Sequence, residues 1–197
     1  MSFKRLVLVL AVALPLGVAE AQNQPAPITE PISTMFRSRT ASLRRSIAQA
    51  FDSIPASKFD YKPTPAQQSF GYIAQHITED SYLFCNALTD RKATRAVADT
   101  AARDSVRAKW PKDSLVVKMK AAFQFCDEVI ATLTDAQTTA MMPAPTAANP
   151  NRQLLRMQML FGHAMDLQDH YSQIANYMRL NGMLPPTALP RPGRGGL

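Results

Sequence analysis

Apolar residues recur at helical spacing in several long segments of the chain. Within each segment they fall three and four residues apart, which places them on one face of an amphipathic helix. The pattern predicts four long helices, over residues 35–51, 66–88, 114–134 and 151–181. No segment shows a convincing alternation of apolar and polar residues, which is typical of half-buried strands. The sequence therefore predicts an all-α protein.

Proline, glycine and short polar residues indicate where these helices begin and end. Ser33 or Thr34 can cap the first helix, and Gly182 is placed to end the last one. Residues 89–110 are small and polar, and they separate the second helix from the third. A connection of that length can cross the bundle, so a simple up-down-up-down order is not required. We predict a four-helix bundle with a long crossover between helices two and three.

The same pattern divides the chain into segments. Residues 22–33 are rich in proline without an apolar period and are predicted to form a flexible lead-in. The bundle domain is predicted over residues 34–187. Residues 188–197 carry glycine, proline and arginine and are predicted to form a disordered tail.

The first residues have the layout of a secretory signal peptide. The basic pair Lys4-Arg5 precedes an apolar run, Leu6–Val18, which is shorter than the roughly 20 residues that a membrane-spanning helix needs. An Ala-x-Ala site ends at Ala21, where a signal peptidase requires small residues. We predict that residues 1–21 are removed and that the mature protein is periplasmic or secreted, with no membrane contact after cleavage. The alternative is an uncleaved anchor.

The chain is basic, with a formal net charge of +7. Excess positive charge can indicate a nucleic-acid partner. Here the basic residues are scattered along the chain, without the interleaved aromatic residues that a base-stacking platform requires. We interpret them as solvated helix faces and expect no nucleic-acid partner. A small-molecule substrate is the expected ligand, and assembly as a homodimer is left open.

The chain has three histidines, and all fall in the predicted second and fourth helices. Asp166 and His170 stand at i, i+4 and share a helix face, and His76 can reach them across the bundle. His163 lies roughly 10 Å from His170 along the helix axis, so we expect it to stand outside such a site. Two histidines and a carboxylate with open positions suit Zn, Ni or Fe. The alternative is that these histidines form hydrogen bonds and hold no ion.

Cys85 and Cys126 are the only cysteines. An even count in an exported chain favours a disulfide, which here would join the second helix to the third. The alternative is a pair of buried thiols that pack as small apolar side chains.

Three segments of the chain resemble DinB/YfiT-like proteins. Residues 161–186 resemble the last helix of that family, residues 70–77 resemble its second helix, and the connector 61–65 fits the same pattern. The resemblance implies a four-helix bundle with a divalent metal on three histidines, one on the second helix and two, four residues apart, on the last. His76 and His170 match two of these positions, and Asp166 stands where the family usually has histidine.

The resemblance also implies a function. It suggests a metal-dependent transferase or hydrolase that acts on a small molecule, with the metal held by His76, Asp166 and His170. Aspartate has a shorter side chain than histidine and carries a charge, which changes the metal preference of the site. The alternative is an exported bundle without catalytic activity, which binds a ligand or a partner and retains a degenerate metal site. Metal analysis of the protein discriminates between these two functions.

Overall fold

The computed structural model describes residues 27–145 and 151–190. The predicted signal peptide and most of the predicted tail lie outside these residues. Within the described ranges, no helix combines the length and the apolar character needed to cross a lipid bilayer.

The described residues form four long helices, joined by connections that contain three short helices and a pair of short strands. In chain order the elements are α1 (Pro31–Ser53), α2 (Phe70–Leu88), α3 (Val97–Ala101), α4 (Asp104–Arg107), α5 (Lys112–Ala131), α6 (Asp135–Thr138), β1 (Met141–Pro143), β2 (Gln153–Leu155) and α7 (Arg156–Leu180). Single turns of 3-10 helix follow α1 and α7, at Ala56–Lys58 and Pro186–Ala188. The prediction of an all-α protein with four long helices is confirmed.

The four long helices, α1, α2, α5 and α7, pack as a bundle in which α1 and α2 each contact both α5 and α7. The last turns of α2 and α5 lie side by side, since Cys85 and Cys126 are adjacent, so these two neighbours run parallel. The chain between them must therefore return along the length of the bundle. This is the predicted long crossover, and α4 within it packs against α2.

The core consists of two apolar clusters, one in each half of the bundle. One surrounds the end of α1 and the start of α2, and its fully buried members include Ile47, Phe51, Phe70, Ile73, Met119 and Ile174. The other surrounds the end of α2 and the start of α7, and its members include Cys85, Leu88, Cys126, Ile130 and Leu160. Nearly all these residues lie on the apolar faces that the periodicity predicts.

The start of α1 differs from the prediction, because its cap comes from a distant part of the chain. The helix begins at Pro31, within the segment predicted to be a flexible lead-in. The carboxylate of Asp135 accepts hydrogen bonds from the backbone N–H groups of Ile32 and Ser33, at 3.0 and 2.7 Å. An acidic group at that position satisfies the free N–H groups of the first turn and interacts favourably with the helix dipole. Ser33 and Thr34 are therefore inside the helix.

The segment before α7 also differs from the prediction. The sequence pattern indicates no strand here and places residues 151–155 at the start of the last helix. Instead Met141–Pro143 pairs antiparallel with Gln153–Leu155. The pairing holds residues 153–155 extended, and α7 begins only at Arg156, whose N–H donates to the carbonyl of Ala140. The helix ends where predicted, before Gly182, whose φ of 70° favours glycine.

The start of α2 is fixed by a close approach to the crossover. Ser69 caps the helix by accepting a hydrogen bond from the Tyr72 N–H. Two residues after the cap, Gly71 donates its N–H to the carbonyl of Phe59. A Cβ atom on Gly71 would lie 2.3 Å from the carbonyl oxygen of Ala108. Only glycine lets the backbone of the crossover approach α2 this closely.

We expect Gly71→Ala to destabilise the protein by about 1–3 kcal/mol, the usual cost of overpacking a rigid site. The obstacle is backbone, which cannot rotate away. Urea unfolding measures the effect. Gly162→Ala is the matched control, because an added Cβ there meets the Phe84 ring at 3.3 Å, and a side chain can yield. Equal stability of the Gly71 variant and the wild type would contradict the expectation.

Candidate metal site

His76, Asp166 and His170 converge between two neighbouring helices. α2 and α7 run antiparallel, with the rings of His76 and His170 facing each other edge to face at a centroid distance of 4.9 Å. Asp166 lies one turn before His170 on α7. Each of the three residues offers one ligand atom, and these three atoms all lie within 4.8 Å of one another. The structure thus brings together the three residues that the sequence analysis selected.

Hydrogen bonds define the orientation of the His170 ring. Its Nδ1 lies 3.2 Å from Oε1 of Gln173, and the amide Nε2 of Gln173 donates to the hydroxyl of Tyr177 at 3.3 Å. In the neutral tautomer whose Nδ1 carries the proton, this nitrogen donates to the Gln173 oxygen. The other ring nitrogen, Nε2, lies 3.3 Å from Oδ1 of Asp166. In that tautomer Nε2 presents a lone pair to a carboxylate.

A lone pair that faces a carboxylate requires a cation between the two atoms, either a proton or a metal ion. Burial favours the neutral ring of His170, but the hydrogen bond and the charge of Asp166 outweigh it and raise the pKa of this histidine above 6.5. In the absence of metal, a proton stabilises the pair. A metal ion bound there would replace that proton.

The second oxygen of Asp166 supports the same interpretation. Oδ2 is buried and accepts no hydrogen bond from any described residue. A buried acceptor without a partner carries an unfavourable desolvation cost, which a cation would remove. Two ligands bound at about 2.1 Å to a tetrahedral ion lie about 3.4 Å apart, close to the separation between His170 and Asp166. The residues present therefore fit a divalent metal ion.

His76 has two further neighbours on its own helix. The ring of Tyr72 stacks on it at a centroid distance of 6.0 Å. One turn on, Oδ2 of Asp80 lies 3.3 Å from Nε2 of His76. Burial raises the pKa of Asp80, and the charge of Asp166 raises it further, whereas His76 and His170 oppose the shift. Sequence reasoning missed Asp80, although its i, i+4 spacing from His76 is the same signal that selected Asp166.

His163 belongs to a different cluster. Its side chain is fully buried, its Nε2 lies 3.3 Å from Nη1 of Arg44, and Arg44 is also paired with Asp127. Burial lowers the pKa of His163 to about 3, and the positive charge of Arg44 lowers it as well. His163 is therefore neutral and stands outside the cluster of His76, Asp166 and His170.

The buried neutral state of His163 should make the fold sensitive to acid. Below pH 6.5 the unfolded chain takes up a proton at this histidine, whereas the folded chain does so only near pH 3. The folded state binds fewer protons over that window, so stability falls as the pH is lowered from about 6.5 towards 3. The slope from this group is up to about 1.4 kcal/mol per pH unit.

We expect His163→Gln to lose this part of the pH dependence. Urea unfolding of the wild type and the variant between about pH 6.5 and 4.5 measures it, and other acid-sensitive groups cancel in the comparison. The stability of the wild type should fall more steeply with decreasing pH than that of the variant, so the two curves should converge at acidic pH. Parallel curves would show that His163 takes up protons equally in both states.

The structure places Cys85 and Cys126 at disulfide bonding distance, with their Cα atoms 5.4 Å apart. Both side chains are fully buried between α2 and α5. His163 lies beside them, since one of its nitrogens is within 4.8 Å of both sulfur atoms. The pairing is therefore geometrically available.

Two solved structures show the same architecture as this protein. A DinB-like protein from Bacillus subtilis is 19% identical and superimposes with a TM-score of 0.58, over 80% of this chain and 96% of that protein. A DinB-like protein from Bacillus cereus is 14% identical, with a TM-score of 0.59 over 77% of this chain and 93% of that protein. At this identity the likeness concerns the fold alone.

The sequence profile of the DinB superfamily matches residues 39–174, which include the three candidate ligands. No curated protein is significantly similar to the chain. The match spans most of the bundle and agrees with the resemblance found in its second and last helices. This chain belongs to the DinB superfamily.

Proposed function

We propose that this protein is an exported, metal-dependent enzyme, a transferase or hydrolase that acts on a small molecule. Its metal ion, Zn, Ni or Fe, would be held by His76, Asp166 and His170. The observation that carries the proposal is the Asp166 carboxylate. One of its oxygens lies 3.3 Å from Nε2 of His170, and the other is buried and has no hydrogen-bond partner among the described residues.

The position of the site suits catalysis better than a structural role. Structural metal sites are usually closed by four protein ligands, whereas catalytic sites keep a position free. Here three ligands converge, and the side chain of His76 is 30% exposed, against 9% for His170. The His76 side of the site is therefore open for a small substrate.

The surrounding residues have distinct roles in this proposal. Gln173 would accept a hydrogen bond from the Nδ1 proton of His170 and leave Nε2 free to bind the ion. Tyr72 stacks on His76 and restricts the rotation of its ring. A divalent ion held there supplies Lewis acidity towards an oxygen, nitrogen or sulfur atom of a substrate.

Metal analysis of the purified protein tests the proposal. We expect about one equivalent of a divalent metal after purification, or after incubation with Zn²⁺, Ni²⁺ or Fe²⁺ followed by desalting. Chelator treatment should remove it, and readdition should restore it. A protein that stays empty under all three metals would overturn the proposal and favour a bundle that binds a ligand or partner without catalysis.

Export is a separate part of the proposal, supported by the layout of residues 1–21. We expect the protein produced in an exporting bacterial host to begin at Gln22. Intact-mass measurement of the periplasmic and secreted fractions decides this, and Ala21→Arg is the control variant, because a large charged residue blocks cleavage. Recovery of a chain that retains residues 1–21 would refute the cleavage.

A further inference from the structure

α2 and α7 carry the same pair of side chains in opposite order. His76 is followed one turn later by Asp80, and Asp166 is followed one turn later by His170. The two helices run antiparallel, and His76 faces His170. The register therefore places Asp80 opposite Asp166.

Contacts on either side of the site support this register. Towards the start of α2, the ring of Phe70 meets that of Tyr177 at a centroid distance of 5.6 Å. Towards its end, Phe84 packs against Gly162, where an added Cβ would lie 3.3 Å from the ring. Between these contacts, the two histidines and two carboxylates form a four-sided group on the facing sides of the helices.

The two histidine–carboxylate contacts have the same geometry. Nε2 of His76 lies 3.3 Å from Oδ2 of Asp80, and Nε2 of His170 lies 3.3 Å from Oδ1 of Asp166. Each contact pairs a ring nitrogen with an anionic oxygen, so each is stabilised by a cation between its two atoms. A single divalent ion near the centre of the group would serve both.

We propose that Asp80 is a fourth ligand of this metal site, which then consists of two histidines and two carboxylates. An ion that takes six ligands, such as Mn²⁺ or Fe²⁺, would still keep two positions open for a substrate. This inference rests on the proposed function. Asp80 does not belong to the cluster whose ligand atoms all lie within 4.8 Å of one another, and it reaches that cluster through His76. Binding requires its carboxylate to turn towards the ion. Without a cation, repulsion from Asp166 opposes that movement, and a divalent ion reverses the effect.

A second carboxylate changes which metals the site accepts. The two carboxylates together neutralise a divalent ion, which a site of three neutral histidines does not. Oxygen ligands also favour harder ions such as Mn²⁺ and Fe²⁺ more than imidazole does. Asp166 already replaces one histidine of the family's ligand set by an oxygen ligand, and Asp80 would add a second. The site would then bind its ion through two nitrogen and two oxygen ligands.

Binding of Co²⁺ and Mn²⁺ to the purified protein tests this inference. Co²⁺ reports ligand number and type through its visible absorption, and Mn²⁺ binding is measured by electron paramagnetic resonance. We expect Asp80→Asn and Asp80→Ala to weaken the binding of both ions by at least about tenfold and to change the visible absorption spectrum of bound Co²⁺. The side chain of Asp80 is 24% exposed, and circular dichroism verifies that both variants fold.

Asp169→Asn is the matched control. This carboxylate lies on α7 next to His170, and it stands outside the cluster of candidate ligand atoms. We expect it to weaken binding by less than about threefold and to leave the Co²⁺ spectrum unchanged. If the Asp80 variants behave like this control, or weaken binding without a spectral change, Asp80 is not a ligand. If the wild type binds neither ion, the proposed metal site itself is wrong. The experiment therefore distinguishes an error in the role of Asp80 from an error in the metal site.

Discussion

Replacement of His76 or His170 by alanine is expected to weaken the binding of Zn²⁺ and Ni²⁺ by more than about a hundredfold. The two histidines come from different helices and face each other at a ring distance of 4.9 Å. Loss of either one leaves a single imidazole beside the carboxylates, and such a ligand set suits the borderline ions Zn²⁺ and Ni²⁺ less well. Isothermal titration calorimetry of the apoprotein measures the effect.

The control for these variants is His163→Gln, because His163 is the one histidine outside the cluster. It is fully buried, so the comparison uses only protein that circular dichroism shows to be folded. We expect its metal affinity to stay within about threefold of the wild type. Equal metal binding by the wild type and by both alanine variants would show that these histidines do not form a metal site.

Asp166→His extends the same experiment in the opposite direction. The change restores the set of three histidines that the family resemblance implies, and imidazole suits Zn²⁺ and Ni²⁺ better than carboxylate does. We expect tighter binding of both ions by the variant. Weaker binding of both ions would contradict this expectation and indicate that the carboxylate of Asp166 is the better ligand at this position.

The long helices were predictable from the sequence because their stability comes from burial of one apolar face. Within each long helix the apolar residues recur at helical spacing, and those that are fully buried include Ile47, Ile73 and Met119. The crossover was predictable from length alone, since residues 89–110 are too many for a tight connection. Periodicity is a local signal, and the features that it indicates depend mainly on residues within a few turns of one another.

Other features depend on contacts between distant segments, which no local pattern reveals. The cap of α1 is supplied by Asp135 from a short helix late in the chain. The strand Gln153–Leu155 exists only because Met141–Pro143 pairs with it. The place of His163 likewise depends on Arg44, whose burial beside it cannot be inferred from their positions in the sequence.

The candidate metal site was predictable in part, because it depends both on local spacing and on a contact between distant helices. The i, i+4 spacing brings Asp166 and His170 onto one face of their helix. That spacing does not show that His76, on another helix, faces them. The choice of His76 came from the small number of histidines and from the family resemblance. Asp80 has the same spacing from its histidine, and only the antiparallel register of α2 and α7 shows that it faces Asp166.

Joint replacement of Cys85 and Cys126 by alanine is expected to destabilise the protein purified from an exporting host by about 4 kcal/mol. The cysteines are separated by 41 residues in sequence, and a bridge between them closes a loop that contains the whole crossover. Closing such a loop restricts the unfolded chain and stabilises the fold by an amount that grows with loop length. Urea unfolding of the variant and of the non-reduced wild type measures the difference.

Alkylation identifies whether the bridge is the cause. Protein from an exporting host is unfolded without reductant and treated with iodoacetamide, and its intact mass should show no modified cysteine. After reduction, both cysteines should react, and the reduced wild type should approach the stability of the alanine variant, because both then lack the cross-link. Modification of both cysteines before reduction would refute the disulfide. The buried sulfur atoms would then be two thiols that pack between α2 and α5 as small apolar groups.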